Sequence, residues 1–412
     1  MSVRTAVCLL TSLLIAGAAT AEPALDAEMK AVELIRGRKF TAPVRNVTIA
    51  RSQLPGMLRK QIERDLPYSA ETWVTVLRSL QLVDAPQQDV LPKLLELYQS
   101  QVLAFYDPAA GTYYTLREVP EVMKKAGSAE LIATMVAVHE LTHALQGQHF
   151  GIGRRIDGLR RNTDASMAYH SVIEGEALLV MFAHMLAKAG TDLESMVESD
   201  DAIELLVAAA RQDQSIGPET PRYFAESLKF PYIDGLRLVI HAYRRDGWKG
   251  VDALHLQPPA STREVLHPEE YFARVAGKGQ AAQPLWANPP SGVLASEHLG
   301  EFHWAFLLGE SNATGLRQDR AIVLRGAKPT VLVETLWDTP EQAARFAGAY
   351  RAFLAGRGLK PLVVRDGMTV KAGYGANRIA IARFVPQEKK AAALMTPQRD
   401  AAIEASGVRA AR

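Results

Sequence analysis

The stretch "VAVHELTHALQGQHF", residues 136–150, sets two histidines four apart inside the apolar, alanine-rich run "SAELIATMVAVHELTHAL". On an α-helix a four-residue step turns ~40° past one revolution and rises ~6 Å, so His139 and His143 leave the same face. Two imidazoles one turn apart can close on one Zn²⁺ at ~2.0–2.1 Å. Glu140 lies on the flank of that face, where its carboxylate reaches a metal-bound water without being a ligand. That is the physical content of an H-E-x-x-H motif. Ser128 as N-cap and Glu130 in the first turn fit a helix start. Polar groups inside such an apolar helix need partners. A metal supplies one, and a structural histidine pair satisfied by hydrogen bonds is the alternative.

A catalytic zinc takes three protein ligands and leaves the fourth position to water. Two residues compete for the third place. His149 stands where an elongated H-E-x-x-H-x-x-G-x-x-H motif ends, but that motif wants glycine at 146 and this chain has Gln146, with Gly147 one later. If the helix continues through 149, the six-residue step from His143 turns ~600° and aims His149 away. Glu174 is the other candidate, in "TDASMAYHSVIEGEALLVMFAHMLAKAG", a second long apolar helix capped by Thr163 or Asp164. A polar "EGE" in such a run is costly unless it has a role. His170 and Glu174 share a face, and Glu174 follows His143 by 31 positions, enough for a turn and an antiparallel return. His170 and Glu176 are weaker candidates. A plain helix crossing at Gly175, with both acids turned to solvent, is the bland reading of "EGE".

"HELTHALQGQHF", "TDASMAYHSVIEGEA", "FPYIDGLRLVIHAYRRDGW" and "PPASTREVLHPEEYF" occur in this order, with "AFYDPAAGTYYT" and "LWDTPEQAARFAGAY" besides. Together they resemble a family of largely uncharacterised secreted bacterial proteins regarded as zinc metallopeptidases and related to the gluzincins, the thermolysin-like zincins. The resemblance covers residues 40 to 385, roughly. It implies His139, His143 and Glu174 as metal ligands and Glu140 as catalytic base. One departure stands out. Thermolysin-like enzymes carry an Asp four residues after the ligand Glu to support a ligand His, and this chain has Leu178 there. The supporting acid must come from elsewhere, and Asp164 is the candidate, with His170 beside it.

The N-terminus "MSVRTAVCLLTSLLIAGAATAEPA" has Arg4, an apolar stretch to Ala19 and an A-T-A site before Glu22. It reads as a secretory signal peptide, residues 1–21, too short for a comfortable membrane span. The expectation is an exported bacterial protein, periplasmic or secreted. Cys8, the single cysteine, falls within that segment, so the mature chain has neither disulfides nor thiol catalysis. The 47 basic and 45 acidic residues nearly cancel. No basic run carries interleaved aromatics, so nucleic acid is not an expected partner. After cleavage no charge-free apolar run of 20 residues remains, so no transmembrane segment is expected in the mature chain. The oligomeric state is not legible.

The expected fold class is α+β and mainly helical. A zincin-like metallopeptidase domain, 22–286, holds the active-site helix and an edge β-hairpin at "QVLAFYDPAAGTYYTL". One further strand is expected at "APVRNVTIA". The hairpin's expected role is to pair with extended substrate, an ordinary edge hairpin being the alternative. "NPPSG" at 288–292 reads as a linker to a small C-terminal α+β unit, 287–386. There "RAIVLRG", "PTVLVETLW", "TPEQAARFAGAYRAFLAGRG", "KPLVVRDG" and "RIAIARF" read strand, strand, helix, strand, strand. The tail, 387–412, reads as frayed or disordered.

The chemistry expected is hydrolysis of internal bonds in a peptide or protein substrate by a zinc-activated water, with Glu140 taking the proton. The developing oxyanion needs a second donor, for which His267 in "STREVLHPEEY" and Tyr232 in "FPYIDG" are candidates. His241, His255, His298 and His303 read as surface or core residues. A zincin-fold binding module without catalysis, and an amide hydrolase acting on a non-protein substrate such as cell-wall peptide, are the rival readings.

Overall fold

The computed structural model describes residues 25–117, 129–204, 207, 220–278 and 290–385. The segment expected to be a signal peptide, with Cys8, the expected cap at Ser128, the first half of the expected linker and the tail from 387 lie outside the described residues. What is described is α+β and mostly helical, with two small sheets. It divides into two units, residues 1–282 with 297–307, and residues 283–296 with 308–412.

The first unit opens with helix α1 (Asp26–Arg36), strand β1 (Arg45–Ile49) and helices α2 (Leu54–Asp65), α3 (Ala70–Ser79) and α4 (Gln87–Gln101). The expected hairpin follows as β2 (Ala104–Asp107) and β3 (Thr112–Leu116). Its turn is shaped by Asp107, whose Oδ1 accepts from the Ala109 N–H at 2.9 Å, and by Gly111 at φ +59°. β1 is the expected strand and pairs parallel to β3, so the sheet order β1-β3-β2 leaves β2 at an edge.

Three helices form the centre of this unit. α5 (Ala129–Phe150) carries the H-E-x-x-H segment. It runs through Gly147 unbroken and ends where Gly151 takes φ +61°, the left-handed conformation that glycine adopts freely. After α6 (Ile152–Leu159) comes α7 (Thr163–Lys188). Its N-cap is Asn162, whose side chain accepts from Ala165 N at 3.0 Å; Thr163 and Asp164, the expected caps, sit in the first turn instead. α7 is apolar and long enough to cross a membrane by composition alone, but 67% of that window is buried inside the protein. It is the core helix, with Tyr169, Val172, Leu179 and Val180 wholly buried. Burying each aliphatic side chain of this kind contributes about 1.5–3 kcal/mol.

α8 (Leu193–Glu198) leads to α9 (Arg222–Leu256), two helical segments joined at a kink where Asp246 and Gly247 leave helical geometry. α9 packs along α7 at backbone contact. A Cβ on Gly175 would stand 2.3 Å from the Gly235 carbonyl oxygen, and one on Gly235 would stand 2.1 Å from that of Ser171. Gly175 therefore permits the close crossing, yet Glu174 and Glu176 on either side are buried rather than turned to solvent. α10 (Thr262–Leu266) and α11 (Pro268–Val275) complete this stretch.

The second unit is built on a five-stranded sheet. Strand β4 (Val293–Glu297) comes first, and helix α12 (Gly300–Leu308) after it belongs mostly to the first unit. Then follow α13 (Glu310–Ala313), β5 (Leu316–Leu324), β6 (Thr330–Trp337), α14 (Pro340–Gly356), β7 (Leu362–Asp366), β8 (Thr369–Gly375) and α15 (Arg378–Phe384), with strand order β4-β5-β6-β8-β7. Two strands, a helix and a third strand stand where the sequence places them. "RIAIARF" does not: it is helix α15, and the fourth strand of that series is "TVKAGYG" just before it. Asn377 accepts from Ala380 N and caps the helix. Ile381 packs on Gly373, where a Cβ would meet it at 2.9 Å. The local cap and the tertiary contact favour the helix over the expected strand.

Candidate metal centre

α5 and α7 pack side by side, and the four expected residues meet between them. His139, Glu140 and His143 are buried and offer ligand atoms within 4.8 Å of one another, a group able to hold a metal ion. Glu174 closes on the same point from α7. Its Oε2 lies 3.2 Å from His139 Nε2 and 3.5 Å from His143 Nε2, and the two Nε2 atoms are 3.1 Å apart. Tetrahedral ligands about a zinc at ~2.0–2.2 Å stand ~3.3–3.6 Å from one another. The triangle of two nitrogens and one carboxylate oxygen comes near that spacing, with one edge inside it and two shorter by about 0.1–0.2 Å. Among the described residues Glu174 Oε2 finds no well-formed hydrogen bond although it is buried, a state that costs about 1–3 kcal/mol or more for a charged group.

Two carboxylates could thus complete the set, and their partners distinguish them. Glu140 Oε2 accepts the backbone N–H of Tyr106 at 2.8 Å, from the edge strand β2. That bond fixes Glu140 beside the triangle. Glu174 instead faces both histidines.

The electrostatics agree with a proton held in place of a cation. Burial pulls His143 down, but the Glu174 charge outweighs it and raises the ring to about 9. Burial pushes Glu174 up, but the His143 charge dominates and lowers it to about 2. Burial, aided by the His143 charge, lowers His139 below the ordinary histidine value. At neutral pH the metal-free site therefore holds one displaceable proton, on His143. Because that ring's folded value is raised, its contribution to metal-free stability is complete below about 6.5 and lost as pH rises through about 9. A metal must displace this proton, so its affinity is expected to rise about tenfold per pH unit below 9 and to flatten above. Zinc-competition titrations from pH 7 to pH 9 check this; a flat profile would contradict it.

The remaining expected residues separate. Tyr232, on α9, is buried with its ring stacked on that of His139, centroids 6.1 Å apart and planes within 14°. His170 is buried one turn before Glu174, and its Nδ1 meets the Ser166 carbonyl at 2.7 Å. His149 turns away as the helical phase requires, and its Nε2 meets the Lys39 carbonyl at 2.8 Å.

Asp164 and His267 are engaged with other partners. Asp164 Oδ1 accepts from both the backbone N–H and the hydroxyl of Thr262, at 2.7 and 2.6 Å. A Cβ on Gly300, at φ +73°, would overlap that carboxylate. His267 Nε2 pairs with Glu301 Oε1 at 2.8 Å, chiefly through which its pKa is raised, and neighbouring Phe302 donates its N–H to Thr262. These contacts gather at the first turn of α7, and Glu174 lies ten residues on, about 15 Å along the helix axis. The acid expected behind a ligand histidine is therefore not Asp164, and His267, the candidate oxyanion donor, is engaged with Glu301.

Sequence reasoning missed the groups behind His143. Gln146 Oε1 lies 2.9 Å from His143 Nδ1, and Gln146 Nε2 donates to the Ile173 carbonyl at 3.0 Å and to Glu176 Oε2 at 2.8 Å. Glu176, with Arg36 and His255 as ion-pair partners, is well below the usual carboxylate range: burial opposes this, but the Arg36 and His255 charges outweigh it. Arg36 continues to Asp252, which also holds Arg38. The one signal for Gln146 was its place, three residues after His143 and so on nearly the same helical face. Nothing local to Arg36 marks it, since 140 positions separate it from Glu176.

No protein-family model, no curated protein and no solved structure matches this chain.

Proposed function

We propose that this chain is a zinc-dependent metallopeptidase with a gluzincin-type ligand set, His139, His143 and Glu174, and Glu140 as general base. The observation that carries the reading is the buried triangle of His139 Nε2, His143 Nε2 and Glu174 Oε2, with edges of 3.1 to 3.5 Å. Zinc suits two imidazoles and one carboxylate, and when bound there it would acidify a water to about pKa 7 and polarise a carbonyl. Glu140 takes the water's proton. The Tyr106 N–H holds its carboxylate in place. Tyr232, stacked on His139, is the oxyanion donor of the reading. The edge of β2, one residue of which already touches Glu140, is where an extended peptide would pair. The signal-like N-terminus supports export to the periplasm or medium.

A second reading has one observation in its favour. His139, Glu140, His143 and Glu174 are all at most 4% exposed, as in a closed structural site of a non-catalytic module. Glu140 argues against it, since a closed site has no use for a carboxylate held beside the ligands. The deciding experiment measures metal content of the purified mature protein and its cleavage of a broad peptide library, before and after chelation. One zinc per chain, with cleavage lost on chelation and restored by zinc, is the expected result. Zinc without any cleavage favours the closed module, and cleavage confined to cell-wall peptides favours the amide hydrolase.

A further inference from the structure

The hydrogen bonds behind His143 have only one consistent polarity. Glu176, both of whose oxygens lie against the nitrogen donors Arg36 Nε and His255 Nε2, acts as an acceptor. The Ile173 carbonyl can only accept as well. Both lie within 3.0 Å of the same Gln146 nitrogen, which must be the NH₂ group with its two hydrogens so spent. The Gln146 oxygen is therefore the atom facing His143 Nδ1 at 2.9 Å, and it can only accept. His143 must then carry its hydrogen on Nδ1. Once the displaceable proton has left, the lone pair is therefore on Nε2, the atom that faces Glu174 and His139. Among the described residues His139 Nδ1 has no hydrogen-bond partner, so within them this support is specific to one histidine.

We propose that Gln146 and Glu176 form a positioning pair that fixes the tautomer and ring orientation of His143 for metal ligation, with Glu176 anchored by Arg36 of α1 and His255 of α9. The pair supplies the support that Leu178 cannot give and Asp164 does not. It acts through an amide whose orientation is dictated from behind: the carboxylate sets the amide, and the amide sets the imidazole. Three elements distant in sequence, α1, α7 and α9, thereby converge on one ring nitrogen of α5. The proposal rests on the metal-site reading above.

The test compares wild type with Gln146→Met, which keeps length and volume but removes the acceptor, and with Glu176→Gln, which lets the Gln146 amide turn over. His149→Ala, on the far side of the helix, is the control. Zn²⁺ affinity is read by chelator competition, and the ring N–H of His143 by ¹H–¹⁵N NMR, metal-free and zinc-bound. Wild type is expected to show a slowly exchanging Nδ1–H signal. Gln146→Met should lose that signal and bind zinc about 10–100-fold more weakly, the usual cost of an outer partner. Glu176→Gln should weaken zinc in the same direction, and it serves if Gln146→Met does not fold. His149→Ala should match wild type. Wild-type zinc affinity within twofold in both variants, with the Nδ1–H signal intact, overturns the pair while leaving the metal site standing. A wild type that binds no zinc removes the metal-site reading itself and the pair with it.

Discussion

Glu140→Gln is expected to keep its zinc and its fold and to lose peptide hydrolysis by a factor of about 10²–10⁴, the typical contribution of a general base. The amide is nearly the same shape as the carboxylate. Its oxygen can still accept the Tyr106 N–H that holds Glu140 Oε2 at 2.8 Å, so the local anchorage survives. What it cannot do is take a proton. Melting temperature, zinc content and cleavage rate should be read on one preparation. A fall in rate with zinc and melting point unchanged assigns the base to Glu140. Cleavage as fast as wild type would refute the mechanism. A fall accompanied by zinc loss would place Glu140 among the ligands, which the Tyr106 bond argues against.

Glu174→Ala is expected to abolish stoichiometric zinc. Glu174 Oε2 is one corner of a three-cornered set, and loss of a ligand should exceed the about 10–100-fold cost of losing an outer partner. Stability gives an independent readout. A ligand bound to the folded state alone, at about 100 times its dissociation constant, stabilises by about 2.7 kcal/mol. Wild type should show that zinc-dependent rise in melting temperature, and Glu174→Ala should not. His143→Ala should behave in the same way. If Glu174→Ala keeps its zinc while Glu140→Ala loses it, Glu140 is the third ligand, and the base must be sought elsewhere.

How much of this was legible beforehand depends on the range of the signal. The periodicities of α5 and α7 are local, and a four-residue spacing on a helix fixes which side chains share a face. His139 with His143, and the turning away of His149, could therefore be read from the chain. The hairpin β2–β3 was legible for the same reason, since its turn residues and alternation lie within sixteen positions. The caps were less certain: Asn162, Thr163 and Asp164 are all able to begin a helix, and only the backbone path decided for Asn162. "RIAIARF" had a strand's alternation and became a helix, because a contact with Gly373 gives Ile381 an apolar partner that the period alone cannot foresee.

The sequence by itself determined that two imidazoles and a flanking carboxylate would share one helix face, and that a second buried helix would bring acids within reach. Only the tertiary structure decided which acid. Glu174 and Glu176 are two residues apart, about 200° around the helix, so one meets the histidines and the other turns to Arg36 and His255. The choice was set by the crossing of α7 with α9 at Gly175 and Gly235, which fixes the rotation of α7 about its axis. The first turn of α7 likewise went to Thr262, leaving Asp164 about 15 Å along the helix from Glu174. Helical phase is written in local spacing; the rotation and depth at which helices pack are set by contacts between residues far apart in the chain, where no local pattern records them.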